Sequence, residues 1–335
     1  MRTRGRTSRL LSSIREREWT PLQRALLVAV LAICMGSLFL TTYSLALGDP
    51  VPHRINAGLI GNPAERPGTV AAVQGVGRQS LAFRSYPSVP AALHAIDEQR
   101  VYTALNLTSG RPTLYVASAA GASVARVLEK ISAVDPAVRV VDTHPLASAD
   151  PNGVDLFYLM LIATIIGFLT IFQVKANAPG LAFRHHIAFV LGLALAVSLV
   201  LTLVDNALLH RLHLRNAEEW GILALHVLAV SSFASLMAAL VGRWALVPTW
   251  LFFVVLGNTS SGGAVSPPLL PQPFAFLSNW LPSGATVTAV RNAFYFRHYQ
   301  HAQPIVVLTA WAAALFTVWV LVARRRELPV YERSA

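Results

Sequence analysis

"LGNTSSGGAVSPPLLPQPF", residues 256–274, and the adjoining "AFLSNWLPSGATVTAVRNAFYF", residues 275–296, decide how this chain folds. The first carries three glycines, four prolines and a Thr/Ser run, so it cannot continue a helix. The second has room for two short helices, one after its prolines and one after Gly284. Neither reaches across a bilayer. Both are too apolar to lie in water, with Phe274, Phe276, Leu277, Trp280, Leu281, Phe294 and Phe296. Non-helical backbone at membrane depth survives only where protein or a wet cavity satisfies it. The expectation is a re-entrant helical hairpin over 268–300, dipping into the outer leaflet and joined by a Leu281–Gly284 turn. Trp280, Tyr295 and Tyr299 would sit near the interface. Arg291 would need a partner or water, because a bare charge at that depth is costly.

The bulk composition sets the frame for that hairpin. Of 335 residues, 54% are hydrophobic and 13% charged, against about 25% charged in ordinary soluble domains. Six apolar runs predict an α-helical polytopic membrane protein with six transmembrane helices: 25–47, 154–174, 187–204, 218–241, 244–257 and 304–323. The fifth is short and contains Pro248. Residues 154–323 form the membrane domain, and the first run reads as an uncleaved signal anchor.

Basic residues orient the chain. Segments 1–24, 175–186, 242–243 and 324–335 together carry 14 Lys/Arg, whereas 205–217 and 258–303 carry 2 each. Both termini are therefore expected in the cytoplasm, the protein being a multi-pass protein of the cell (plasma) membrane. Residues 1–24 read as a basic amphipathic helix in the cytoplasmic interface, and 324–335 as a basic tail. The net charge of +11 flanks spans, where it meets anionic lipid headgroups; this argues against nucleic-acid binding. Cys34 is the only cysteine, so an intrachain disulfide is excluded.

Residues 48–153 differ. Positions 49–153 hold nine Lys/Arg and eight Asp/Glu, with no long apolar run. Strands are predicted at "RINAGLIG", "LAFRSYPS", "VYTALNLT", "PTLYVASA" and "VRVVDTH", and helices at "VPAALHAIDEQR" and "ASVARVLEKISAV". The expectation is a small extracytoplasmic α/β (or α+β) domain that binds, docks or assembles. Asn106-Leu-Thr is a glycosylation sequon.

Motifs for chemistry are missing. The chain has no G-x-x-x-x-G-K-[ST], no G-x-S-x-G and no H-E-x-x-H; no enzyme activity and no cofactor is expected of it. Two His-x-x-His pairs, His210/His213 and His298/His301, would share a helix face, but interfacial polar roles suit them better than metal binding. His226 lies inside the fourth span, followed by Ser231, Ser232 and Ser235. Polar groups at that depth face the protein interior or a wet path. They are candidates for a substrate path, the plainer alternative being hydrogen bonds between helices.

"GNTSSGG", the Pro-rich stretch, "LSNWLPSGATVTAVRNAFYF" and a terminal span together resemble the C-terminal part of the phage-infection-protein-like (YhgE/Pip) membrane proteins, of the ABC-2-type permease superfamily. The layout resembles theirs along most of the chain. The resemblance implies a permease half that works as a homodimer, or as a heterodimer with a related permease. A separate ABC ATPase subunit would drive it. It implies export of a hydrophobic or amphipathic substrate such as a lipid, a drug-like molecule or an envelope polymer. The cytoplasmic loop with Lys175, Arg184, His185 and His186 would dock the ATPase. The hairpin residues Gly262, Gly263, Pro271, Leu281, Pro282 and Arg291 would shape an outer gate. The competing reading is a membrane-anchored receptor or scaffold whose outer domain binds without transport.

Overall fold

The computed structural model describes residues 20–208 and 216–331. The N-terminal amphipathic helix, the His210/His213 pair and the last residues of the basic tail lie outside the described residues. The first helix, α1 (Pro21–Leu47), is apolar throughout. Leu22, Leu26, Ile33 and Leu40 on it are each more than half exposed. Contacts divide the chain after Thr42, and Tyr43–Ala335 forms one compact unit.

That unit begins with a sheet domain. Its elements are β1 (Ile55–Ile60), α2 (Pro67–Val76), β2 (Leu81–Tyr86), α3 (Val89–Asp97), β3 (Thr103–Asn106), β4 (Thr113–Val116), α4 (Ala122–Leu128), α5 (Ile131–Val134) and β5 (Arg139–Asp142). The strand order is β2-β1-β3-β4-β5. Only β3 and β4 pair antiparallel, through the "SGRP" turn; the other neighbours are parallel. A largely parallel sheet is covered on both faces, so β1 is buried at five of its six positions. Ile55, Ala57 and Leu59 face α2, α4 and α5. Ile60 and Ala104 face α3 through Ala92, Ala95 and Ile96.

All five expected strands form. Helix α2 is hidden in the sequence, since "PGTVAAVQGV" opens on Pro-Gly. Pro at the first helical position costs nothing there, because that N–H has no intrahelical partner. The single amphipathic helix expected over 122–134 is two helices. Ser132 and Ala133 bond three residues back, tightening the chain at Glu129–Lys130. Val124, Leu128 and Ile131 still share the core face. The Asn106 sequon is turned inward: Asn106 is buried, and its Oδ1 accepts from the Thr108 amide (3.0 Å) and hydroxyl (2.8 Å).

Four more long helices follow: α6 (Asp155–Asn177), α7 (Phe183–Leu208), α8 (Asn216–Val241) and, at the end, α12 (Ala302–Tyr331). With α1, five helices are long and apolar enough to cross a bilayer, and the chain is a multi-pass membrane protein. Helix α8 is central, packed by α6, α7 and α12. Asp150 fixes the start of α6, accepting from the Val154 and Asp155 amides at 3.1 and 3.0 Å.

The remaining chain corrects the expected layout. The fifth apolar run is α9 (Leu246–Trp250) continued by a π-helix, Leu251–Asn258. Its 13 residues span only about 20 Å at 1.5 Å per residue, short of the roughly 30 Å hydrocarbon core. The predicted hairpin is asymmetric. Its first arm is one helical turn, α10 (Phe274–Leu277); its second is α11 (Pro282–Tyr295), beginning at Pro282 rather than after Gly284. The chain before the first arm is drawn into the sheet domain, where Val265, Leu269 and Leu270 complete the core and Phe274 and Ala275 pack against it. Helix α11 packs among α6, α8 and α12 through Ala285, Val287, Ala289, Val290 and Ala293. The sheet domain is thus not closed by residues 48–153 alone. Tyr295 and Tyr299, expected at a lipid interface, turn to that domain: the Ala147 amide donates to Tyr295 Oη at 3.4 Å, and Tyr299 Oη lies 3.2 Å from His94 Nδ1. Phe296 stacks on His144, with ring centroids 4.8 Å apart.

Candidate functional site

A polar seam runs through the otherwise apolar helix packing, with His226 at its centre. The ring is fully buried on α8. Thr164 Oγ1 of α6 lies 2.8 Å from Nε2, and Thr286 Oγ1 of α11 lies 2.9 Å from Nδ1. Phe253 of the π-helix meets the ring edge-on, 6.3 Å between centroids. One side chain therefore ties four elements together.

The protons of this triad can be counted. Each threonine hydroxyl is also placed to donate to the carbonyl four residues back, Thr164 to Met160 (2.9 Å) and Thr286 to Pro282 (2.8 Å). A hydroxyl has one proton, and a neutral imidazole has one N–H. If both threonines bond their carbonyls, the ring lacks a second proton. One threonine must then turn its hydroxyl to the imidazole, and which one depends on the tautomer. The triad can store either arrangement with small hydroxyl rotations.

Ser231, Ser232 and Ser235 are all fully buried on the same helix. Ser231 donates to the Val227 carbonyl at 2.7 Å and lies 3.4 Å from the Gly167 carbonyl of α6. Ser232 Oγ has no hydrogen-bond partner among the described residues. Ser235 Oγ lies 3.4 Å from His186 Nε2. The four substrate-path candidates thus fall on one helix, with His226, Ser231 and Ser235 reaching neighbouring helices. Sequence reasoning missed Thr164 and Thr286; a threonine inside an apolar run is the available signal, since such hydroxyls join helices in lipid.

The gate candidates are spread over α11 and the irregular chain before it. Leu281 occupies the cap position and Pro282 the first helical one. Gly284 is required by close approach: a Cβ there would stand 2.0 Å from the Ser278 carbonyl oxygen. Gly263 lies against Phe157, 2.8 Å from where its own Cβ would be. Gly262 has φ +71°, a conformation that glycine adopts without strain, and its carbonyl accepts from Arg291 Nη2 at 2.8 Å. Pro271 is half-buried one turn before α10. The irregular segment is pinned to α4, where the Ser266 amide donates to Ser123 Oγ at 2.8 Å.

The docking candidates divide. Lys175 ends α6, while Arg184 and His185 open α7, all exposed. His186 is buried against Ser235 and Trp319, so it is withdrawn from any docking face. The linker is also shorter than expected, residues 178–182, because α7 starts at Phe183. His298 and His301 lie in the turn between α11 and α12, so they lack the helical spacing that would put them on one face. Among the described residues no three His, Cys, Asp or Glu side chains group to hold a metal. No protein-family model, curated protein or solved structure matches the chain.

Proposed function

We propose that the chain is a permease subunit of the ABC-2 type, acting as a dimer with a separate ATPase and exporting a hydrophobic or amphipathic substrate. The observation that carries the reading is the buried polar seam on α6, α8 and α11, centred on His226, within helices of membrane length. Burying so many hydroxyls and an imidazole among apolar helices has a cost that packing alone does not require. The resemblance of 256–296 to phage-infection-protein-like permeases supplies the ATPase and the gate formed by Leu281, Pro282 and Arg291.

The layout in this reading keeps six crossings. The fifth is made by Leu246–Asn258 with the irregular residues after it, which end bonded to the sheet domain at Ser123. With both termini in the cytoplasm of the plasma membrane, Lys175, Arg184, Arg243, Arg324 and Arg325 fall on the inner side and the sheet domain outside. The receptor alternative needs a sheet domain that binds on its own. A core completed by Val265, Leu269, Leu270 and Phe296 argues against that.

The test is co-purification in mild detergent, wild type against Lys175→Ala/Arg184→Ala/His185→Ala, followed by export from proteoliposomes. The reading expects a P-loop ATPase with the wild type, lost in the variant, and ATP-dependent export that His226→Ala alters. Intact protein with no ATPase and no ATP-dependent export would overturn it.

A further inference from the structure

A cavity of about 200 Å³ lies where the sheet domain meets the hairpin. By the same measure one water needs roughly 10–15 Å³, so the space suits a polyatomic ligand. Its polar walls come from four parts of the chain: Gln99 and Tyr102 of the sheet domain, Ser278 before α11, Thr288 and Arg291 on α11, and His301 beyond it.

Arg291 is the decisive group. It is 9% exposed, and its guanidinium offers five N–H donors. One of them meets the Gly262 carbonyl. Among the described residues no carboxylate stands at ion-pair distance from it. Asp150 borders a smaller adjoining cavity with Arg291, but both its oxygens are engaged by the amides that start α6. A buried cation with no counter-charge is costly unless something else supplies one. The rest of the wall also offers donors. Gln99 Nε2 is buried without a partner among the described residues. Burial pushes the Tyr102 phenol above its ordinary value against the opposing pull of Arg291, so it stays a neutral donor beside that charge.

We propose that this cavity binds a phosphate-bearing anion, with Arg291 as its two-pronged anchor and Gln99, Tyr102 and His301 as further donors. A phosphoryl group brings three acceptor oxygens, which matches donors arriving from three parts of the chain better than a carboxylate does. A soluble phosphate ester and an anionic lipid headgroup both carry that group. The site stands independently of transport, and its test reads binding alone.

The full chain in neutral detergent is titrated with inorganic phosphate and, separately, with short-chain phosphatidylglycerol, and thermal unfolding is followed at constant ionic strength. The expected result is a saturable rise in Tm with at least one probe. The apparent Kd should weaken about tenfold or more in Arg291→Gln, as loss of a charge-assisted pair implies. Response to phosphate points to a soluble phosphate ester; response to phosphatidylglycerol alone points to a headgroup. Should Arg291→Gln not fold, Gln99→Ala/His301→Ala carries the comparison, with the same direction expected. No saturable shift with either probe, or equal affinity in the folded variant, overturns the proposal.

Discussion

Helices α7 and α11 invert the usual relation between chemistry and burial. Helix α7 is apolar, yet Leu191, Leu195, Leu199, Val200, Leu203 and Val204 are all exposed. Helix α11 carries Ser283, Thr286, Arg291 and Asn292, and all four are buried. In water this would be an unstable arrangement, since apolar burial drives folding. In a bilayer lipid accepts an apolar stripe without penalty, and polar groups turn to the protein interior, where Thr286 and Arg291 find partners. The difference teaches that α11, though short, is enclosed by protein, whereas α7 leaves an apolar stripe uncovered.

Substitutions can break or sharpen that contrast. The largest effect is expected from Gly284→Ala, whose Cβ would collide with the Ser278 backbone. Loss of folded protein, by size-exclusion chromatography of the solubilised chain, is the expected outcome, in the range above about 4 kcal/mol. Leu223→Ala removes a fully buried side chain facing the α6/α11 packing and should cost about 2–5 kcal/mol in mixed-micelle unfolding. His226→Leu should cost about 1–3 kcal/mol, because both threonines lose a partner while each keeps a carbonyl. Thr286→Val should then cost less in the His226→Leu background than alone, and a strictly additive double-mutant cycle would show that the triad is not coupled. Leu199→Ala on the exposed α7 stripe should change unfolding by less than about 0.5 kcal/mol.

Much of this fold is legible in the sequence, for local reasons. The strands of the sheet domain are short apolar or β-branched runs, and β1 to β3 end at Gly61, Pro87 and Asn106, so they can be read from their own residues. The long helices declare themselves by apolar runs. Segment 256–296 is legible only in part: its breakers forbid a span, which holds, but its destination is set by distant partners. Nothing local tells that Val265 and Leu269 enter the sheet-domain core, or that Tyr299 turns to His94. The same limit applies to the seam. His226 stands out as a polar residue in an apolar run, but its partners lie 62 and 60 positions away, a separation that no periodicity reveals. His186 falls outside the expected docking face because the start of α7 at Phe183 carries it under Trp319.

The central claim, that 282–295 is enclosed by protein rather than bathed in lipid, is tested most directly by photolabelling. The wild-type chain is reconstituted in bilayers carrying a diazirine in the acyl chain, irradiated, and mapped by peptide mass spectrometry. Adducts should concentrate on the α7 stripe 191–204 and on Val306, Val318 and Leu321 of α12, all exposed, with 282–295 unlabelled. Labelling of 282–295 at the level of α7 would contradict the account.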